Sequence, residues 1–234
     1  FTQRNQFERR TLSDTGGMRH GSERGAAIYT VVALAYALTA LLVAPLPYRL
    51  TPEAHTLIEL ATFALALFAG VLALVRYYSR PDDEYLLIGS GLIGATLFDG
   101  FHAAVSGPVD LGTGATFRQL GPYSWLASRL FLGSVLLGSV VVWRQRAARH
   151  ADSLERSKVY LLFAGAALLN ILFFASVPLP ASYFPALPFA RPYDLVAAAV
   201  FGAALLGYWR KGEWRSDFFE HGMVLALTLA LLSE

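Results

Sequence analysis

Seven stretches of this chain are apolar over lengths that match the hydrocarbon thickness of a bilayer, and nothing else in it restricts the fold as much. They fall at about 26–46, 54–77, 85–106, 122–143, 158–177, 192–209 and 217–233, each near the roughly 20 residues that a spanning helix needs. Backbone groups in lipid find no water, so a run of this length must satisfy its N–H and C=O groups as a helix. Across the 234 residues 55% are hydrophobic and only 15% charged, the charges crowding between the runs. The predicted fold is an all-α, polytopic transmembrane helical bundle over 26–234, behind a polar cytoplasmic tail over 1–25.

That tail lacks the apolar core of a signal peptide. Met18 suits a start codon preceded by a leader, and a native polar tail suits the same residues. Cysteine is absent, which excludes disulfides, thiolate metal sites and cysteine nucleophiles. A net charge of +2 is too small to argue for a nucleic-acid partner.

Proline marks the ends of several runs. Pro45 and Pro47 close the first, Pro52 opens the second and Pro122 opens the fourth. Five prolines between 178 and 192 make that connection a structured loop, whose aromatics Tyr183, Phe184, Phe189 and Tyr193 suit an interfacial cap. Basic residues fill alternate connections. Arg4, Arg9, Arg10, Arg19 and Arg24 precede the first run, Arg144, Arg146, Arg149, Arg156 and Lys158 fill the fourth connection, and Arg210, Lys211 and Arg215 the sixth. The positive-inside rule places these and the N-terminus in the cytoplasm. The sequence stops at Leu231-Leu232-Ser233-Glu234 straight after an apolar run, so an eighth helix returning to the cytoplasm is expected beyond it.

This orientation gathers the intramembrane polar residues at one level. His55 and Glu59 start the second run, Asp99 and His102 end the third, and Trp125 and Arg129 lie early in the fourth. All six fall toward the outer side, with Asn170, Arg191 and Asp194 near them. The spacings of i,i+4, i,i+3 and i,i+4 put each pair on one helix face. Ionisable groups in lipid are expensive unless they face the protein and find partners, which makes these six the candidate ligand-binding residues. Three readings stay open: a structural network in which Arg129 pairs with Asp99 or Glu59, a pocket for a small ligand or ion, and a divalent-metal or haem site on His55 and His102. Arg129 disfavours a cation, so no cofactor is the preferred reading. Elsewhere, Glu220 and His221 read as a snorkelling pair, and Trp143, Tyr208, Trp209 and Trp214 as an interfacial belt. No nucleophile elbow, phosphate loop or zinc-protease motif occurs.

The run His55-Thr-Leu-Ile-Glu59, then Phe98-Asp99-Gly100-Phe101-His102, Trp125-Leu-Ala-Ser-Arg129, Arg191-Pro192, and Tyr208-Trp-Arg-Lys-Gly-Glu-Trp-Arg215 form an ordered set. Together they resemble the third class of bacterial membrane-associated sensor domains, over about residues 26–234. The resemblance implies an integral-membrane input module in the bacterial inner membrane, ahead of a cytoplasmic output such as a histidine kinase or a diguanylate cyclase. It also implies an eighth helix leading into that output, and it names no signal. By position, His55, Glu59, Asp99, His102 and Arg129 would sense.

The combined expectation is a non-enzymatic signal-input domain that binds a small ligand or ion in an outer-leaflet pocket. It would pass a change of helix packing to its output, as a homodimer in the lipid bilayer. The alternatives from other classes are a transporter or channel, which the apolar inner halves disfavour, and an accessory subunit of a membrane complex.

Overall fold

The computed structural model describes residues 28, 30–32, 34–39, 41–42, 51–106, 115–149, 154–177, 180–186 and 190–233. The expected tail over 1–25, and Pro45 and Pro47, lie outside them. The elements in chain order are α1 (Thr30–Thr39), α2 (Pro52–Ser79), α3 (Asp83–Ser106), α4 (Ala115–Arg149), α5 (Arg156–Ser176) and α6 (Asp194–Lys211), then a 3-10 turn (Glu213–Arg215) and α7 (Phe218–Ser233). No strand occurs among the described residues, so the all-α expectation holds. Two compact units result, one over 49–204 and one that contains α1 and 205–233.

Of the seven expected spans, three are supported among the described residues. By length and apolar composition, three helices among the described residues can cross a membrane, over Glu53–Ser79, Asp83–Val105 and Leu120–Gln145. The 18 residues of α6 include Arg210 and Lys211 in the last turn, and the 16 before them rise only about 24 Å at 1.5 Å each, short of a hydrocarbon core of about 30 Å. An apolar run shows that a segment avoids water. Its helical length comes out only once the ends are in place.

Pro122 does not open the fourth helix either. It sits inside α4, which starts at Ala115 and runs for 35 residues. A proline pushes the residue before it out of the helical region by clashing with that residue's Cβ. Here that residue is Gly121, which has none, so the helix carries through. At its other end α4 continues over the basic residues Arg144, Arg146 and Arg149, which had been expected in a connection.

In the 49–204 unit, α2 and α3 are joined by a short turn at 80–82 and run antiparallel. The turn is built locally. Asp82 caps α3 by accepting from the Glu84 N–H at 3.0 Å, and Arg76 lies 4.3 Å above the Tyr85 ring. Buried Asp83 accepts from the Leu154 N–H at 2.5 Å, tying the approach to α5 to the same end. Glycines then set the helix spacing. A Cβ on Gly89 would sit 2.9 Å from the Gly70 carbonyl, and one on Gly70 3.1 Å from the Gly89 carbonyl, so these backbones touch. On its opposite side α3 receives Val135 against Gly91 and Phe131 against Gly94. With α2 on one side and α4 on the other, α3 is the central helix.

Exposure is inverted relative to a water-soluble bundle. Leu57, Leu65, Phe68 and Val75 of α2 and Leu161, Leu162 and Leu169 of α5 are all exposed, whereas Ser90, Thr96, Ser124 and Ser128 are buried. An apolar surface on this scale calls for an apolar solvent.

The unit containing 205–233 corrects two expectations about its aromatic and charged residues. Tyr208 and Trp214 are buried instead of lining an interfacial belt, and Trp214 stacks on exposed Trp209 at 4.6 Å while donating to the Trp209 carbonyl at 3.2 Å. Glu220 does not snorkel. It is buried and accepts from the equally buried Lys211 ammonium at 2.8 Å, which also meets Glu213 at 2.9 Å. Gly212, at φ 79°, supplies the left-handed residue that turns the chain from α6 into the 3-10 turn.

Candidate functional site

The end of the 49–204 unit away from the 80–82 turn holds the polar residues. Helix α2 begins there, with Thr51 accepting from the Ala54 N–H at 3.3 Å and Pro52 in the first turn, where its missing N–H costs nothing. His55 and Glu59 follow on one face, and the antiparallel return of α3 brings His102 beside them.

Glu59 is the hub. Its Oε1 lies 2.8 Å from Nε2 of His55 and 2.8 Å from Nε2 of His102. Its Oε2 is buried without a hydrogen-bond partner. The two imidazoles stand nearly perpendicular, at 85°, with ring centroids 6.5 Å apart. Glu59 and His102 are largely shielded, with side chains 15% and 12% exposed, while His55 at 46% forms the open side of the cluster.

His102 is also held from behind. Its Nδ1 lies 2.8 Å from the Gly121 carbonyl and 2.9 Å from the Ser124 hydroxyl, and that hydroxyl itself donates to the Gly121 carbonyl at 2.8 Å. A carbonyl only accepts, so Nδ1 carries the proton, and in the neutral ring the Nε2 lone pair points at Glu59. One turn further along α4, Ser128 donates to Asp99 at 2.5 Å. The Arg129 guanidinium lies 5.0 Å over the Trp125 ring and attracts Asp99 electrostatically.

Of the six expected residues, His55, Glu59 and His102 form one cluster. Asp99, Trp125 and Arg129 form a neighbouring set of contacts, joined to it through α3 and α4. Ser124, Ser128 and the Gly121 carbonyl were not foreseen. Ser124 and Ser128 are spaced i,i+4 and buried, one position ahead of Trp125 and Arg129, which are half-buried. A one-residue step is a rotation of about 100° around the helix. The α4 face against α3 is therefore the serine face, and its signal was small hydroxyls at helical spacing in an apolar run.

Asn170, expected near the cluster, instead borders a cavity of about 370 Å³ with Phe98, Tyr123, Leu130, Phe131 and Phe173, its buried Oδ1 unpartnered. Ala181, Phe184 and Tyr193 of the connection to α6 pack at this end, where Tyr123 donates to the Ala181 carbonyl at 3.4 Å. Phe184 donates its N–H to the Ala190 carbonyl at 2.7 Å, and the Phe184 and Tyr193 rings, like those of Tyr123 and Tyr193, stand 6.1 Å apart. Of the four expected cap aromatics, Phe184 and Tyr193 are in ring contact, Tyr183 is exposed, and Phe189 lies outside the described residues. Haem fits poorly, because the Glu59 carboxylate stands where a macrocycle would pass between the imidazoles.

No curated protein and no solved structure matches the chain. The family model of the MASE3 membrane-associated sensor domain matches residues 51–234, which takes in every residue of the cluster. With apolar helices long enough to cross a bilayer and a polar cluster among them, the chain belongs to the membrane-associated sensor domains.

Proposed function

We propose that this chain is the multi-pass input module of a signalling protein and that the cluster around Glu59 is where it senses. The N-terminus is cytoplasmic, the cluster faces the outer leaflet, and the output that it drives is a cytoplasmic kinase or cyclase domain. The chain itself catalyses nothing.

One observation carries this reading. A continuous polar chain from His55 through Glu59 and His102 to Gly121 and Ser124 crosses α2, α3 and α4 at one end of the bundle. At the other end the 80–82 turn pins α2 to α3. An occupant of the cluster can therefore separate or draw together the free ends of these helices. A signal results only if the occupant binds one packing better than the other.

The test uses the full-length gene product in membranes. His102→Asn keeps an amide N–H near the position of Nδ1, within reach of the Gly121 carbonyl, while losing the Nε2 contact to Glu59. It should leave the protein folded and shift basal output activity by roughly fivefold or more, the lower end of ordinary allosteric coupling. Unchanged output in a folded His102→Asn protein would reduce the cluster to a structural network.

A further inference from the structure

We infer that His55, Glu59 and His102 are the three protein ligands of a divalent transition-metal cation of the zinc class, which would clasp the free ends of α2 and α3. The cluster has the parts such a site needs. The donor atoms of the three residues lie within 4.8 Å of one another. Two imidazole nitrogens and one carboxylate make up a known zinc ligand set, with the fourth position left to water or another exogenous ligand. The donor types disfavour the hard cations calcium and magnesium, which take all-oxygen shells.

Three details of the geometry go beyond proximity. First, the Nδ1 proton of His102 is committed to the Gly121 carbonyl, so Nε2 presents a lone pair. Metal-bound histidines characteristically donate their second nitrogen in this way, which fixes tautomer and ring plane. Second, with the Nδ1 proton of His102 donated to Gly121, a lone pair on Nε2 would face the Glu59 oxygen at 2.8 Å, two acceptors with nothing between them. A cation at the centre of the cluster satisfies all three residues at once. Third, Glu59 Oε2 is buried with no hydrogen-bond partner, a free acceptor on the same carboxylate that a bound cation would engage.

The fit requires little movement. Metal–ligand bonds of 2.0–2.2 Å in a tetrahedron place neighbouring donors about 3.3–3.6 Å apart, so the 2.8 Å contacts must open by roughly 0.5–0.8 Å. His55 is half exposed and sits at the start of a helix, which gives the ion a way in and the site room to adjust. Arg129 does not oppose the cation as its place in the sequence suggested. It stacks over Trp125, and Asp99 supplies an opposing charge to it. Glu59 and His55 come from α2 and His102 from α3, so occupancy is read directly as the distance between two helix ends.

The signalling consequence rests on the sensing function proposed above, whereas metal binding does not. The test therefore uses both readouts on the full-length protein, purified without a polyhistidine tag and stripped with a chelator. Calorimetric titration with Zn²⁺ should show one ion per chain, with Mg²⁺ and Ca²⁺ unable to compete, and Co²⁺ should give the visible bands of four-coordinate nitrogen–oxygen ligation. Glu59→Gln, His102→Asn and His55→Gln should each weaken Zn²⁺ binding by roughly tenfold or more. His221→Asn, in the other unit, should leave it unchanged. Circular dichroism on each variant separates loss of ligand from loss of fold, and the half-exposed His55 is the variant least able to disturb packing. Absence of stoichiometric Zn²⁺ binding, or binding that survives Glu59→Gln and His55→Gln, overturns the metal site. If Zn²⁺ binds but output in membranes ignores it, the site stands and the sensing function falls. If no Zn²⁺ binds while His102→Asn still shifts output, the reverse holds.

Discussion

Ser128 and Asp99 make a short side-chain contact at the sensing end, and the sequence hides it because a serine in an apolar helix draws no notice. Asp99 is a carboxylate at membrane depth, where each lost hydrogen bond leaves charge poorly compensated. The buried Ser128 hydroxyl supplies one at 2.5 Å. A hydrogen bond to a charged group contributes about 1.5–3 kcal/mol, so Ser128→Ala should lower the melting temperature of detergent-solubilised protein clearly. Thr62→Ala is the comparison. Its hydroxyl turns back on its own helix, to the Ile58 carbonyl at 2.9 Å on an exposed face, and its loss should cost less than about 0.5 kcal/mol. Equal shifts in the two variants would mean that Asp99 draws its compensation from elsewhere.

Among the elements, α2 and α3 are held together by contact between backbones, and glycine is what permits it. A side chain at Gly89 meets the Gly70 carbonyl and the Leu74 side chain, neither of which has room behind a packed helix. Gly89→Val should destabilise the bundle by about 1–3 kcal/mol through overpacking. It should also splay the ends that carry Glu59 and His102, so basal output should move with it. Gly138 in α4 and Gly165 in α5 give the opposite expectation. Open space surrounds the Cβ position at both, and Gly→Ala there should stabilise by roughly 0.5–1 kcal/mol, since only chain entropy and helix propensity change. Thermal unfolding of the three variants in one detergent checks the contrast. If Gly89→Val is as harmless as Gly165→Ala, the α2–α3 contact is looser than the carbonyl approach implies.

For the whole molecule the deciding question is which face of the membrane the cluster meets. The alternation of basic connections puts the 180–193 segment outside and the approach to α5 inside. The chain has no cysteine, so single substitutions report without background. Ala181→Cys and Ser157→Cys both replace exposed residues. In intact cells an impermeant thiol reagent should label Ala181→Cys, and should reach Ser157→Cys only after the membrane is opened. The reverse pattern would put the cluster on the cytoplasmic side, where a metal signal would have to come from the cell interior.

The sequence by itself determined the properties that depend on neighbours along the chain. Apolar runs made the helices, and the observed α2, α3, α5, α6 and α7 lie within about two residues of the runs that announced them. Spacings of three and four residues put His55 with Glu59, and Asp99 with His102, on common faces, because a 3.6-residue period is a local rule. Tertiary structure alone decided everything that crosses from one helix to another. It made Glu59, and not Asp99, the carboxylate shared by both histidines, and it turned the serines of α4 toward α3 in place of Trp125 and Arg129. It also buried Tyr208, Trp214 and Glu220, residues whose polar atoms read from sequence as surface anchors. Each of these outcomes depends on the rotation and register of a helix against its neighbour. One residue of axial shift turns a face by about 100°, and that choice is made by the summed fit of Gly70 on Gly89, Val135 on Gly91 and Phe131 on Gly94, which no single segment carries.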